Sequence, residues 1–128
     1  MESALEVIND DSIKIIDIDY PVPHTIVPLL INSADVVVLT SFLEGSPNII
    51  KEALACNSPI VSVDIGDVKE NINGIDGCYI SNYDSKDVSE KIQMAVKFGK
   101  KTKARNKIQH LELNNIAKQI INLYLSIN

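Results

Sequence analysis

The sequence predicts an α/β fold, a three-layer α/β/α sandwich around a parallel sheet of about four strands. Short β-branched runs alternate with helix-period segments along the 128 residues. The run "DVVVLT" from Asp35 is continuously apolar between polar flanks, the pattern of a strand covered on both faces. The segments joining successive strands are long enough for helical crossovers, which are right-handed and keep the strands parallel.

Taken in order, "IKIIDI" from Ile13 is β-branched and bounded by Asp and Pro, so it reads as a strand. "HTIVPLLINSA" from His24 reads as a short helix, because Pro28 is tolerated only in a first turn. "DVVVLT" is the second strand, "PIVSVD" from Pro59 the third and "GCYIS" from Gly77 a weaker fourth. Between the second and third lies "FLEGSPNIIKEALA", Phe42 to Ala55. Here Ser46 is a suitable N-cap and Pro47 fits the first helical position, so the helix is expected to start at Pro47. After Ser85 the pattern is helical: "SKDVSEKIQMAVKF" opens on a capping signal at Ser85, and "NNIAKQIINLYLSI" repeats Ile116, Ile120, Ile121 and Leu123 at helical spacing. The basic run "KFGKKTKARNK" reads as a solvated helix face and linker between two packed helices of one domain.

Length gives one domain over residues 1–128, and 45% apolar content supports a real core. A net charge of −5 disfavours nucleic acid and anionic membranes, since no basic stripe offsets it. Cys56 and Cys78 show no zinc or disulfide spacing. No apolar run approaches the roughly 20 residues of a membrane helix, and the N-terminus is acidic where a signal peptide is basic. The expectation is a cytoplasmic protein with reduced thiols and no transmembrane segment. His24 and His110 are expected in surface or capping roles. The aromatic residues are scattered, so no stacking platform for bases is expected.

The candidate site is the turn after "DVVVL". In an open parallel sheet, ligands bind beyond the carboxyl ends of the strands. A helix starting there leaves the amides of Asn48 and Ile49 at the positive end of its dipole, and Gly45 lets a ligand approach the backbone. That is an anion site made from backbone, with no lysine required. Glu44 and Glu52 would repel phosphate, so beside such a site they suit a ligand that also offers hydroxyl donors, as sugars do. Glu52 falls at the edge of the helix's buried stripe, where a carboxylate needs hydrogen bonds. The alternative stays open that Glu44 only favours the helix dipole and Glu52 only bonds a neighbouring loop.

The stretch "ADVVVLTSFLEGSPNIIKEALACNSPIVSVDIGDVKENI", Ala34 to Ile72, resembles the C-terminal, donor-binding domain of family 4 retaining glycosyltransferases with the GT-B fold. An Ala-Asp-strand-Ser lead-in, the E-x7-E pair Glu44 and Glu52, the Glu-Ala-Leu-Ala helix, Pro59 opening a strand and Gly66 before Glu70 carry the likeness. It implies a Rossmann-like sheet, the incomplete C-terminal half of a GT-B fold, and a nucleoside diphosphate sugar as donor substrate, with no other cofactor and no metal. It further implies that Glu44 approaches donor-sugar hydroxyls in the catalytic centre and that Glu52 holds the ribose. The loop of Gly45, Ser46, Pro47, Asn48 and Ile49 would face the diphosphate or the sugar.

Two departures stand out. Asn57 replaces the glycine usual before the proline, and it tolerates the left-handed conformation; Asp67 replaces a second glycine and adds negative charge near the site. The Arg and Lys that clamp the diphosphate in the family, and the acceptor-binding N-terminal domain, are expected to have no counterpart among these residues, since only 12 precede Ile13. The expectation is the C-terminal part of a hexosyltransferase, inactive by itself, open to self-association or to pairing with a separate N-terminal domain. A non-catalytic sugar-nucleotide-binding module or a subunit of a split enzyme is the alternative.

Overall fold

The computed structural model describes residues 12–18 and 21–127. It is an α/β structure with a three-stranded parallel sheet between helices. The order along the chain is helix α1 (Val27–Ser33), strand β1 (Val37–Leu39), α2 (Asn48–Ala55), β2 (Ile60–Val63), α3 (Val68–Ile72), β3 (Cys78–Ser81), α4 (Ser85–Phe98), a 3-10 helix (Ala104–Leu111) and α5 (Leu113–Ser126).

The sheet runs β1-β2-β3, with Val37 opposite Ile60 and Ile60 opposite Cys78. All four residues of central β2 are buried, and because side chains alternate along a strand, they feed two cores. Ile60 joins Ile31, Ile50, Ala53, Leu54, Val68, Ile72 and Ala104 beneath α1, α2, α3 and the 3-10 helix. Val61 joins Val88, Ile92 and Ala95 of α4 on the other face. The three layers follow from that split.

One expectation about the strands is corrected. Residues 13–18 carry no regular structure, and Ile15, Ile16 and Ile18 are exposed. A β-branched run fits a pleated, half-buried surface only where another strand supplies ladder bonds, and none pairs with it among the described residues. As a result β1 is the half-buried edge of the described sheet, yet it is covered on both faces as expected, with Val37 and Leu39 packed on one core and Val36 and Val38 on the other.

The helix boundaries follow local chemistry. Pro28 sits in the first turn of α1, where its missing N–H is no loss. The cap of α4 is Asp84 rather than Ser85: its carboxylate accepts from the amides of Lys86 and Asp87, and Gly99 at φ +62° ends the helix. Asn57 takes the left-handed conformation at φ +54°, as its place after α2 predicts.

The basic run is not a solvated linker. The carbonyls at the end of α2 lack helical partners, and this segment supplies them: Thr102 N donates to Asn57 O at 2.7 Å, and Arg105 Nε donates to Ala55 O at 2.6 Å. Asn57 Oδ1 accepts from Arg105 N at 2.8 Å. Lys101 reaches Asn32 Oδ1 and Ser58 Oγ, and Lys107 reaches Asn73 O. Thr102 and Ala104 are buried. Helix α5 forms as its spacing predicts, but it has no buried residue, and Leu113, Leu123, Tyr124 and Leu125 are exposed.

Both cysteines are free. Burial pushes the Cys78 thiol up from 9.0 to about 11, against smaller opposing effects of a hydrogen bond with the Ile60 backbone and the charge of Lys107. The folded chain therefore keeps a proton that the unfolded chain releases above pH 9.0, so this contribution to stability is intact below that pH and fades as pH rises toward 11. Thermal melts from pH 8 to 10.5 should show wild type losing more stability than Cys78→Ala. Parallel losses would remove Cys78 as the cause.

Candidate functional site at the carboxyl edge of the sheet

The loops that follow β1, β2 and β3 meet at one edge of the sheet. The tightest contact is between backbones. Gly66 lies at φ +53°, and a Cβ built on it would stand 2.1 Å from Gly45 O and 2.9 Å from Glu44 O. Only glycine allows both that φ and that approach. Next to it, Asp67 N donates to Gly45 O at 3.2 Å. The loop after β2 thus fixes the backbone of the Glu44–Gly45 turn. Gly45 itself has open space around its Cβ direction, so its exposed face turns outward rather than toward its own chain.

From the other side, Tyr83, just past β3, donates its hydroxyl to Ser41 O at 3.0 Å. Its ring stacks on Phe42 with centroids 4.9 Å apart. Here the expectation of scattered aromatic residues is corrected. Phe42 and Tyr83 are 41 positions apart in sequence, yet each follows a strand at the same edge.

Helix α2 begins at Asn48, with Pro47 buried and extended at the cap position. Ser46 does not cap it. Its hydroxyl donates instead to Asp67 Oδ2 at 2.5 Å and accepts from Lys51 Nζ at 2.5 Å. The oxygen that a cap would offer to a backbone N–H instead accepts from the charged Lys51 ammonium, and its proton is turned to the Asp67 carboxylate. The helix consequently starts one residue later than expected. The amides of Asn48 and Ile49 have no acceptor among the described residues. Asn48 is exposed and Ile49 is half-buried.

Glu44 is exposed, and no donor among the described residues reaches its carboxylate. Glu52 stands in the second turn of α2, half-buried, with Oε1 4.0 Å from His24 Nδ1. At that separation, with the His24 side chain 96% exposed, the pair adds little stability. It does bring the turn before α1 to the site. The structure therefore gathers Glu44, Gly45, Ser46, Pro47 and Asn48 in one turn, with Ile49 and Glu52 on the helix that leaves it.

Sequence reasoning missed Lys51, the bonded state of Asp67 and the proximity of His24. Lys51 had a readable signal: five residues past Ser46, it is within one helical turn and a long side chain of that serine. The other two depend on loops brought together by the sheet. His110 is exposed, with Nδ1 3.1 Å from Lys107 O. Among the described residues, no group of three or more His, Cys, Asp or Glu is placed to hold a metal ion, and no helix is long and apolar enough to cross a membrane.

The comparisons with known proteins converge on this same region. The family model described as "Glycosyl transferases group 1" matches residues 9–97, which include β1 through nearly all of α4. The N,N'-diacetylbacillosaminyl-diphospho-undecaprenol alpha-1,3-N-acetylgalactosaminyltransferase of Campylobacter jejuni is 35% identical over 102 residues, covering 74% of this chain. The chain spans 27% of that relative's length. No solved structure matches the chain. With the family match covering all three strands and the whole acid-flanked turn, the chain belongs to the glycosyl transferases group 1 family.

Proposed function

We propose that the chain is the donor-binding part of a retaining glycosyltransferase and that it binds a nucleoside diphosphate sugar at the turn after β1. Glu44 meets hydroxyls of the donor hexose, Glu52 the ribose hydroxyls, and the loop from Gly45 to Ile49 the diphosphate. The supporting observation is the set of groups left without partners among the described residues in a turn held from both sides: the Glu44 carboxylate and the amides of Asn48 and Ile49. Acceptors there suit alcohols, and donors suit oxyanions. The relative's name speaks of N-acetylgalactosaminyl transfer, so an N-acetylhexosamine donor is the first to test. Acceptor contacts and turnover belong, in this reading, to a further domain.

Calorimetric titration of the chain with UDP-, GDP- and ADP-sugars tests the reading. One of them should bind, and Glu52→Gln should weaken it about 10- to 100-fold, the worth of a charge-assisted hydrogen bond of about 1.5–3 kcal/mol. Glu44→Gln should weaken the sugar nucleotide but leave the free nucleoside diphosphate unchanged. Binding of none of them, or equal binding by all variants, sinks the proposal.

A further inference from the structure

We infer that Lys51 is the residue of this chain that takes the donor's diphosphate, and that Asp67 occupies the same hydroxyl partner until the donor arrives. The inference rests on the donor-binding reading above and adds a cation and a competing anion to it.

Three side chains from two loops and a helix form one relay. Lys51, half-buried in α2, donates to Ser46 Oγ at 2.5 Å, and that hydroxyl donates to Asp67 Oδ2 at 2.5 Å. Lys51 and Asp67 do not pair directly within 4.0 Å among the described residues, so the two charges meet through one oxygen. A hydroxyl has one proton to give. While Asp67 holds it, no second anion can receive it.

Phosphate oxygens compete for the same partners as a carboxylate, with stronger charge and more acceptor sites. A diphosphate lying along the Gly45–Asn48 turn would take both the Ser46 O–H and the Lys51 ammonium, and it would be repelled by Asp67. Donor binding and release of the Asp67 carboxylate from Ser46 are then one event. The Asp67 amide stays on Gly45 O, so the backbone of the turn keeps its place while the side chain leaves. Lys51 supplies the positive charge that the expectation of a backbone-only anion site left out. Asp67 sets how tightly the diphosphate is held.

The test is calorimetric titration of the full chain with UDP, GDP and ADP, and with inorganic pyrophosphate as a base-free probe. Lys51→Gln should weaken the nucleoside diphosphate that binds, and pyrophosphate with it, by about tenfold or more. Asp67→Asn keeps the side chain's shape and its amide bond to Gly45 while removing the charge, so it should tighten both by a similar factor. The double variant should return toward wild type. Melting curves of each variant establish that it is folded, and Lys51→Met replaces Lys51→Gln if that variant is not. If wild type binds a nucleotide and Glu52→Gln weakens it while the Lys51 and Asp67 variants bind as wild type, this inference fails and the donor site stands. If wild type binds no nucleoside diphosphate, both fail.

Discussion

Replacing Gly66 by alanine is expected to lower the melting temperature by about 10–15 °C and to abolish donor binding together with it. The added Cβ would lie 2.1 Å from Gly45 O and 2.6 Å from Gly45 C, both backbone atoms that no rotamer change can move. The residue also sits at φ +53°, which costs a side-chain-bearing residue about 1–2 kcal/mol. Relieving the clash separates the loops after β1 and β2, and the bond from Asp67 N to Gly45 O and the bond from Ser46 Oγ to Asp67 go with it, at about 1 kcal/mol each. The sum is about 3–4 kcal/mol, which for a domain of this size corresponds to the stated shift. Gly45→Ala is the control. Its Cβ direction is open and its φ is not positive, so it should melt near wild type. Equal losses in the two variants would mean that the turn is fragile in general and that the Gly66 contact does not position it.

That contact also marks where sequence reasoning stops. The acid pair, the strand before it, the helix between and the left-handed Asn57 were legible because each is a local matter: a run of branched residues, a proline near a first turn, an asparagine after a helix. Gly66 announced a special conformation but not which chain approached it, because that partner lies 21 residues earlier in sequence. The bond from Ser46 to Asp67 has the same separation and the same opacity. The helix starts one residue later than expected, since the serine hydroxyl is turned to Asp67 and Lys51 and its oxygen is not offered to a backbone N–H of the first turn.

The misread segments erred for a common reason. Ile13 to Ile18 has strand propensity without a strand to pair with, and propensity alone cannot supply ladder bonds. Arg105, Lys101 and Lys107 looked like solvated charges because sequence does not show which helix end lacks donors. In the structure they meet the carbonyls and side chains at the end of α2 and its neighbours. The site helix is therefore held at its far end by a segment outside the residues that the family model matches.

Truncating Leu54 should separate the stability of that helix from its function. Leu54 is fully buried among Ile31, Ile50 and Ile60, and Leu→Ala at such a site costs about 3–5 kcal/mol through lost transfer energy and the cavity left behind. Leu54→Ala should thus melt at least about 10 °C lower than wild type, a loss comparable with that of Gly66→Ala. Its side chain points into the core from the last turn of α2, whereas the backbone contact that fixes the Glu44–Gly45 turn belongs to Gly66. Well below its melting temperature, Leu54→Ala should bind the donor within about twofold of wild type, since the cost falls on the unfolding equilibrium and not on the folded site. Two variants of similar instability would then differ sharply in affinity. If titration at 10 °C instead shows Leu54→Ala losing the donor as fully as Gly66→Ala, the turn is positioned by the packing of α2 as a whole, and the Gly66–Gly45 approach is a consequence of the site's geometry rather than its cause.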